Sequence, residues 1–293
     1  MKRFSLLSVF IIIIIGTIVL VWPRRTKELS PEGPLVCYVG GTMTPVMNAI
    51  AAAYREDTGA EVDITSADSG ELLAAIELQL RGDLYIAHDP FMDIAMRRGV
   101  GVSAWQLGEL HPVMIVRKGN PKRLTGIKDL MRPDVRVYLT DYEHSTLGNM
   151  LPVLFRRAGL DFAEFNKVKQ VPTHRSGSWV ANQLIMKSAD AALVWQVVAG
   201  LRQKDLDIIP IDDALPRPGI DALTSATGKT YDIAPVKVAI VTLACSKRSS
   251  DTEKFIAYAT SGKGKRIFTE NGFDVSDAYG RQMYRNGIRL AGK

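Results

Sequence analysis

The chain has few of the residues on which covalent and metal chemistry depend. Its 293 residues include two cysteines, Cys37 and Cys245, and four histidines. The histidines are not spaced as metal ligands, and no Gly-x-Ser-x-Gly motif or cysteine signature marks a nucleophile. Both cysteines fall in predicted strands, which favours buried free thiols. The alternative, for an exported domain, is a disulfide. We therefore expect no metal, no cofactor and no enzymatic activity.

A broad excess of charge is also lacking. The formal net charge is +6, but five positive charges and one negative charge lie in the first 28 residues. Residues 29–293 therefore contain 32 basic and 30 acidic side chains. Because the excess belongs to the N-terminal segment, the sequence predicts no binding of nucleic acid.

The one long apolar run of the sequence lies near the start of the chain. Residues 4–23 carry no charge and include five consecutive isoleucines at 11–15. That length suits a membrane-spanning helix and exceeds the core of a signal peptide. No small-x-small cleavage site follows. We expect residues 1–25 to be a membrane anchor, with a cleaved signal sequence as the alternative, and residues 26–34 to be a linker.

Strand and helix patterns alternate from residue 35 onward. Three strand–helix units in a row predict a doubly wound, parallel α/β sheet, and a second series of strands begins near residue 112. The predicted strands span residues 35–39, 61–65, 84–87, 112–117, 135–139, 191–195, 208–211 and 236–244. The predicted helices span residues 45–58, 72–80, 145–157, 251–260 and 263–270, with further helices opening at Pro90 and after Ser176.

Two chain crossings, near residues 110–115 and 234–240, would divide this α/β fold into two lobes. Lobe 1 would combine residues 35–112 with residues 238–293, and lobe 2 would span residues 113–237. Each lobe would be a doubly wound sheet. Two linkers of this kind allow hinge closure around a ligand.

Two loops of lobe 1 form a candidate anion site. Gly41-Thr42 follows the first predicted strand, and Ser69-Gly70 follows the second. The carboxyl ends of parallel strands are where such sheets bind ligands, and the helix N-termini there offer free N–H groups and a positive dipole. Such a cradle holds a small anion without Lys or Arg. The alternative is that Thr42 and Ser69 only cap helices.

The order of motifs over residues 35–274 resembles the periplasmic molybdate/tungstate-binding proteins of ABC importers. The motifs are Gly40-Gly41-Thr42, Ser69-Gly70-Glu71-Leu72, the strand at 82–89, Trp179-Val180-Ala181, the Ala-Asp-Ala strand at 189–195 and Gly272-Phe273. The resemblance implies a two-lobed, periplasmic-binding-protein-like fold of type II, preceded here by the N-terminal transmembrane helix. It also implies a monomeric, non-enzymatic protein on the extracytoplasmic side of the envelope that delivers its ligand to a permease and ATPase complex.

The resemblance also implies a set of ligand-binding residues. From lobe 1 these are Gly41, Thr42, Ser69 and Gly70, and from lobe 2 they are Glu143, His144, Ser145, Val180 and Trp195. Trp195 stands where the family has a tyrosine, and Glu143-His144 stands where the family often has Pro-Gly. A carboxylate ~4 Å from a negative charge costs about 4 kcal/mol at an effective dielectric of 20. Glu143 therefore points to solvent, is protonated, or coordinates the metal centre of an oxyanion, or else the ligand is not a simple oxyanion.

Two other functional interpretations of the sequence are retained. The same fold could bind sulfate, phosphate or an organic anion instead of molybdate or tungstate. A ligand-sensing module held at the membrane is a second class, which the genes beside this one would distinguish from a transporter component.

Overall fold

The structure is a computed structural model that describes residues 33–224, 230–232 and 235–290. The predicted anchor at residues 1–25 and most of the predicted linker lie outside the described residues. Within the described ranges, no helix has the length and apolar character needed to cross a membrane.

The described part of the chain alternates strands and helices. The strands are β1 (Leu35–Gly40), β2 (Val62–Ala67), β3 (Leu84–His88), β4 (Gly101–Leu110), β5 (Pro112–Arg117), β6 (Val137–Thr140), β7 (Thr173–His174), β8 (Ala191–Trp195), β9 (Leu206–Ile209), β10 (Ala222–Thr224), β11 (Thr230–Asp232), β12 (Val236–Leu243), β13 (Gln282–Arg285) and β14 (Ile288–Arg289). The α-helices are α1 (Thr44–Thr58), α2 (Ser69–Gln79), α3 (Phe91–Arg97), α4 (Thr146–Arg157), α5 (Phe162–Lys169), α6 (Gly177–Ile185), α7 (Gln196–Gly200), α8 (Ser249–Ala259) and α9 (Gly262–Glu270). Short 3-10 helices span Gly41–Met43, Ile127–Met131 and Asp212–Ala214.

One sheet has seven strands in the order β14-β13-β4-β12-β3-β1-β2. β1 runs parallel to β2 and β3, whereas β12 lies antiparallel between β3 and β4. Successive side chains of β1 face opposite sides of the sheet. Cys37 and Val39 join the apolar cluster that contains Ile50 of α1, and Tyr38 joins the cluster that contains Leu72 of α2. Helices therefore cover both faces, as predicted for a doubly wound sheet.

A second sheet has five strands in the order β7-β6-β8-β5-β9. β6 runs parallel to β7 and β8, and β5 runs antiparallel to β8 and β9. All five residues of β8 are buried because α6 packs on the sheet beside it. We propose that the seven-stranded and five-stranded sheets are the cores of the predicted lobes 1 and 2.

Gln196 fixes the first crossing between the sheets. Its side-chain oxygen accepts the N–H of His111, which lies between β4 and β5, at 2.9 Å. Its side-chain nitrogen donates to the carbonyl of Glu109 at 2.9 Å, and its own N–H donates to the carbonyl of His111 at 3.0 Å. The position where the chain leaves one sheet for the other is therefore tied to the end of β8.

The structure corrects several details of the sequence prediction. Both sheets are mixed rather than parallel, because β12 and β5 run against their neighbours. Leu80 does not belong to the apolar face of α2; it follows the helix with a φ of 48° and is 73% exposed. The next helix begins at Phe91 rather than Pro90. Cys37 and Cys245 are both free thiols, and Cys245 lies beyond the end of β12.

Candidate functional site

A cavity of about 480 Å³ lies where the carboxyl ends of strands from both sheets meet. Thr42 follows β1 and Ser69 follows β2, while His88 is the last residue of β3. From the other sheet, Thr140 and Trp195 are the last residues of β6 and β8. Strand ends converging on one cleft are the usual ligand site of an open α/β sheet.

Thr42 and Ser69 do not cap helices. No side-chain cap hydrogen bond forms at the start of the 3-10 helix Gly41–Met43 or of α1. Asp68 caps α2, because its Oδ1 accepts the N–H of Gly70 at 2.9 Å. The hydroxyls of Thr42 and Ser69 line the cavity without a hydrogen-bond partner among the described residues. Both hydroxyls are therefore available to a ligand.

The two loops that carry these hydroxyls are in direct contact. A Cβ atom on Gly40 would lie 2.3 Å from Ser69 Oγ and 2.7 Å from the Cε atom of Met43. Ser69 is held in place from the other side, since its carbonyl accepts the hydroxyl of buried Tyr85 at 2.6 Å. Burial raises the pKa of Tyr85, so this hydroxyl stays protonated and keeps donating.

The opposite wall is built on the loop before α4. Asp141 Oδ1 accepts the N–H groups of Glu143 at 2.9 Å and His144 at 2.8 Å, and lies 3.1 Å from His144 Nδ1. Burial would raise the pKa of Asp141, but these hydrogen bonds outweigh it and lower the pKa. Ser145 caps α4: its hydroxyl accepts the N–H of Gly148 at 2.9 Å and donates to the carbonyl of Asp141 at 2.8 Å.

Two buried side chains on the cavity wall each have one polar atom without a hydrogen-bond partner among the described residues. Thr140 is 3% exposed, and its Oγ1 has no hydrogen bond within the described ranges. His88 is 9% exposed, and its Nδ1 lies 2.8 Å from the carbonyl of Asp89, leaving Nε2 without a described partner. Its ring centroid lies 6.4 Å from that of Trp195. Buried polar atoms in proteins nearly always have a partner, so the Thr140 hydroxyl is an exception, whereas Nε2 of His88 is open to the cavity.

The mouth of the cavity carries an aromatic stack and an ion pair. The ring of His174 stacks on Trp179 with centroids 4.5 Å apart, and its Nδ1 accepts the N–H of Ser176 at 3.0 Å. Arg175 Nη1 lies 3.0 Å from Glu71 Oε1. Arg175 belongs to the loop after β7 and Glu71 to the first turn of α2, so this pair joins the two walls.

The structure brings most of the predicted site residues together. Six of the nine line the cavity: Gly41, Thr42, Ser69, His144, Ser145 and Trp195. The other three do not. The N–H of Gly70 is bonded to Asp68, Glu143 is exposed, and Val180 is fully buried with its N–H bonded to the carbonyl of Ser176.

Sequence reasoning missed other residues on the cavity wall. These are Asp68, Glu71, His88, Thr140, His174 and Arg175. Three of the four histidines, His88, His144 and His174, line the cavity, and of these only His144 was among the predicted site residues. The usable signal was position, since His88, Thr140 and His174 each end a strand. No cluster among the described residues has the His, Cys, Asp or Glu groups needed to hold a metal ion.

Comparisons with known proteins relate this geometry to a family. A family model described as bacterial extracellular solute-binding protein matches residues 35–274. The molybdate-binding protein ModA of Mycobacterium tuberculosis is 23% identical over 263 residues, which cover 83% of this chain and 88% of ModA.

Two solved structures share the fold over 83% of this chain. The substrate-binding domain assigned to a molybdenum ABC transporter of Clostridium difficile has a TM-score of 0.62, 18% identity and 99% of its own length covered. PEB3 bound to L-phospholactate, a protein of Campylobacter jejuni, has a TM-score of 0.63, 19% identity and full coverage. The two-lobed, periplasmic-binding-protein-like α/β fold and the resemblance inferred from the sequence are therefore confirmed.

Proposed function

The chain belongs to the family of bacterial extracellular solute-binding proteins, and on that premise we propose that it captures a small oxyanion for an ABC-type importer. Proteins of this family are transport components and not enzymes, so the cavity is a binding site. The observation that carries the proposal is the pair of unpartnered hydroxyls, Thr42 and Ser69, at two touching loops.

Neutral donors suit reversible capture of an anion. Hydroxyl and N–H groups donate to anionic oxygens, and hydrogen bonds to a charged group contribute about 1.5–3 kcal/mol each. Asp68 already accepts the N–H of Gly70 at the start of α2, so that N–H is engaged, whereas the hydroxyls of Thr42 and Ser69 remain as donors. No unpaired Lys or Arg is needed, which keeps release feasible.

We assign the second half of the site to the opposite wall. The indole nitrogen of Trp195 has no partner among the described residues and can only donate, as the anionic oxygens of a ligand require. His144 lines the same wall. Ser145 contributes by starting α4, and we propose the same indirect role for Gly70, Glu143 and Val180, whose groups do not line the cavity.

Molybdate and tungstate are the first ligands to test, because the chain is related to a protein named for molybdate binding. An organic anion is the second candidate, for two reasons. The cavity volume of about 480 Å³ exceeds the roughly 30 Å³ share of one water molecule more than tenfold. PEB3, which shares the fold, is described with bound L-phospholactate.

We also propose that the N-terminal segment directs export. Residues 4–23 are uncharged and long enough to span a bilayer, which supports a retained anchor at residues 1–25. Residues 29–293 would then act outside the cytoplasm as a monomer beside a permease and ATPase complex. N-terminal sequencing of the protein from cell fractions tests this assignment. A soluble mature form that starts after residue 25 would replace the anchor with a cleaved signal sequence.

Calorimetric titration and thermal unfolding of the purified full-length chain test the proposed function. The panel is molybdate, tungstate, sulfate, phosphate and L-phospholactate. A ligand at 100 times its Kd stabilises the folded state by about 2.7 kcal/mol, so at least one anion should raise the unfolding temperature. The absence of any shift or binding heat across the panel would contradict oxyanion capture.

A further inference from the structure

His88 presents an acceptor to the cavity. Its Nδ1 lies 2.8 Å from the carbonyl of Asp89, which can only accept, so Nδ1 carries the proton. The ring faces Phe91 and Trp195 at centroid distances of 5.8 Å and 6.4 Å. Burial lowers the pKa of His88 and outweighs the Asp89 hydrogen bond and the Asp68 charge, which act the other way. The neutral ring therefore offers the lone pair of Nε2.

Asp68 adds a second acceptor on the same wall. Its Oδ1 caps α2, and its other carboxylate oxygen has no partner among the described residues. The other carboxylate on the wall, Glu71, pairs with Arg175 at 3.0 Å. Asp68 therefore forms no ion pair among the described residues, since Arg175, the arginine that lines the cavity, is paired with Glu71. An anion without protons would meet both the charge of Asp68 and the lone pair of His88.

We propose that this site selects an anion that carries its own O–H donor, with hydrogen phosphate as the simplest case, over a fully deprotonated oxyanion. The inference rests on the proposed function and names its ligand class. Thr42, Ser69 and Trp195 donate to the anionic oxygens, while His88 and Asp68 accept the ligand proton.

Phosphate differs from sulfate, molybdate and tungstate in its protonation state. At pH 7 inorganic phosphate keeps at least one proton, whereas the other three carry none. A dianion without a proton would leave the acceptors of His88 and Asp68 facing its own acceptor oxygens. A site that forms a hydrogen bond with a ligand hydroxyl discriminates strongly against an analogue that lacks that hydroxyl. Comparing phosphate with the three fully deprotonated anions therefore distinguishes this selectivity from oxyanion capture in general.

Titration calorimetry at pH 7 compares inorganic phosphate with sulfate and molybdate on the full-length chain. We expect phosphate to bind at least tenfold more tightly than either. Asp68→Asn should reduce that preference at least tenfold, because the amide oxygen can still cap α2 but the charge is gone. Asp161→Asn is the matched control, since Asp161 caps α5 by accepting the N–H of Glu164 at 2.7 Å and is not on the cavity wall.

His88→Phe is the second variant and keeps an aromatic ring beside Phe91 and Trp195. It should also reduce the preference for phosphate. If sulfate or molybdate binds the natural protein as tightly as phosphate, or if both variants leave the preference unchanged, the inference is overturned while oxyanion capture stands. If no anion binds, oxyanion capture itself fails.

Discussion

Arg175 Nη1 and Glu71 Oε1 lie 3.0 Å apart and join the two walls of the cavity. Both side chains are about half exposed at this mouth. Because they belong to opposite walls, any opening of the cavity separates them. Exposed pairs of this kind contribute about 0–1 kcal/mol, so this pair alone is too weak to hold the two walls together.

A double-mutant cycle measures this contribution. Glu71→Gln, Arg175→Gln and the double variant should give a coupling energy of no more than about 1 kcal/mol in urea unfolding. The coupling should shrink further in high salt, because exposed charges are screened. A coupling above about 2 kcal/mol that persists at 1 M salt would show instead that the pair is a structural lock.

Gly40 should be intolerant of a side chain. Its φ of −58° imposes no strain on other residues, so the effect of Gly40→Ala is purely steric. The new Cβ would lie 2.3 Å from Ser69 Oγ and must displace that hydroxyl. We expect weaker anion binding by at least tenfold in calorimetric titration. Gly126→Ala is the control, because a Cβ there meets nothing within 4 Å, and its affinity should match that of the natural protein.

The first half of the chain was the more predictable from sequence. β1 and β3 are short apolar strands, and α1 carries its apolar residues at helical spacing. The predicted ends of these elements therefore lie within one or two residues of the observed ends. Position at a strand end also pointed to Thr42 and Ser69. Their lack of a capping role, however, follows only from the structure, because Asp68 and Ser69 have equal claims as caps in a sequence.

Other features could not be predicted because tertiary context decides them. β4 was missed because Gln106 is a fully buried polar residue and Gly108 has a φ of 155°, which together break the apolar pattern. The sequence did not single out the carboxylate that lines the cavity. The sequence left several options for Glu143, and its exposure fits the one in which it points to solvent, whereas Asp68 lines the cavity. Loop geometry, rather than residue type, determines which acid faces the ligand.

Asp190 should be the strongest electrostatic contribution to the stability of the five-stranded sheet. Its side chain is 1% exposed, lies 2.6 Å from Arg117 Nη2, and accepts the Nε of Arg136 at 3.0 Å. Asp190→Asn removes the charge that compensates two guanidinium groups. We expect a loss of about 3 kcal/mol of unfolding free energy at pH 7, measured in urea.

The environment of Asp190 also predicts that its contribution to the unfolding free energy depends on pH. Burial would raise the pKa of Asp190, but hydrogen bonds and charge from Arg136, with Arg117, outweigh it and lower the pKa. A carboxyl whose pKa is depressed in the folded state stabilises above its unfolded pKa of about 3.9, and this stability is lost as the pH falls through the folded value. The difference between natural protein and Asp190→Asn should therefore shrink below pH 4. A constant difference from pH 7 to pH 3 would contradict this assignment.

The central claim is that the hydroxyls of Thr42 and Ser69 bind the anion, and titration calorimetry of Thr42→Val and Ser69→Ala tests it most directly. Each variant should weaken binding of the tightest anion by about 1.5–3 kcal/mol. Their unfolding free energies should stay within about 0.5 kcal/mol of the natural protein, because neither hydroxyl caps a helix. Ser261→Ala is the opposite control: Ser261 caps α9, so this variant should lose about 1 kcal/mol of stability and keep its affinity. Unchanged affinity in both Thr42→Val and Ser69→Ala would contradict the account.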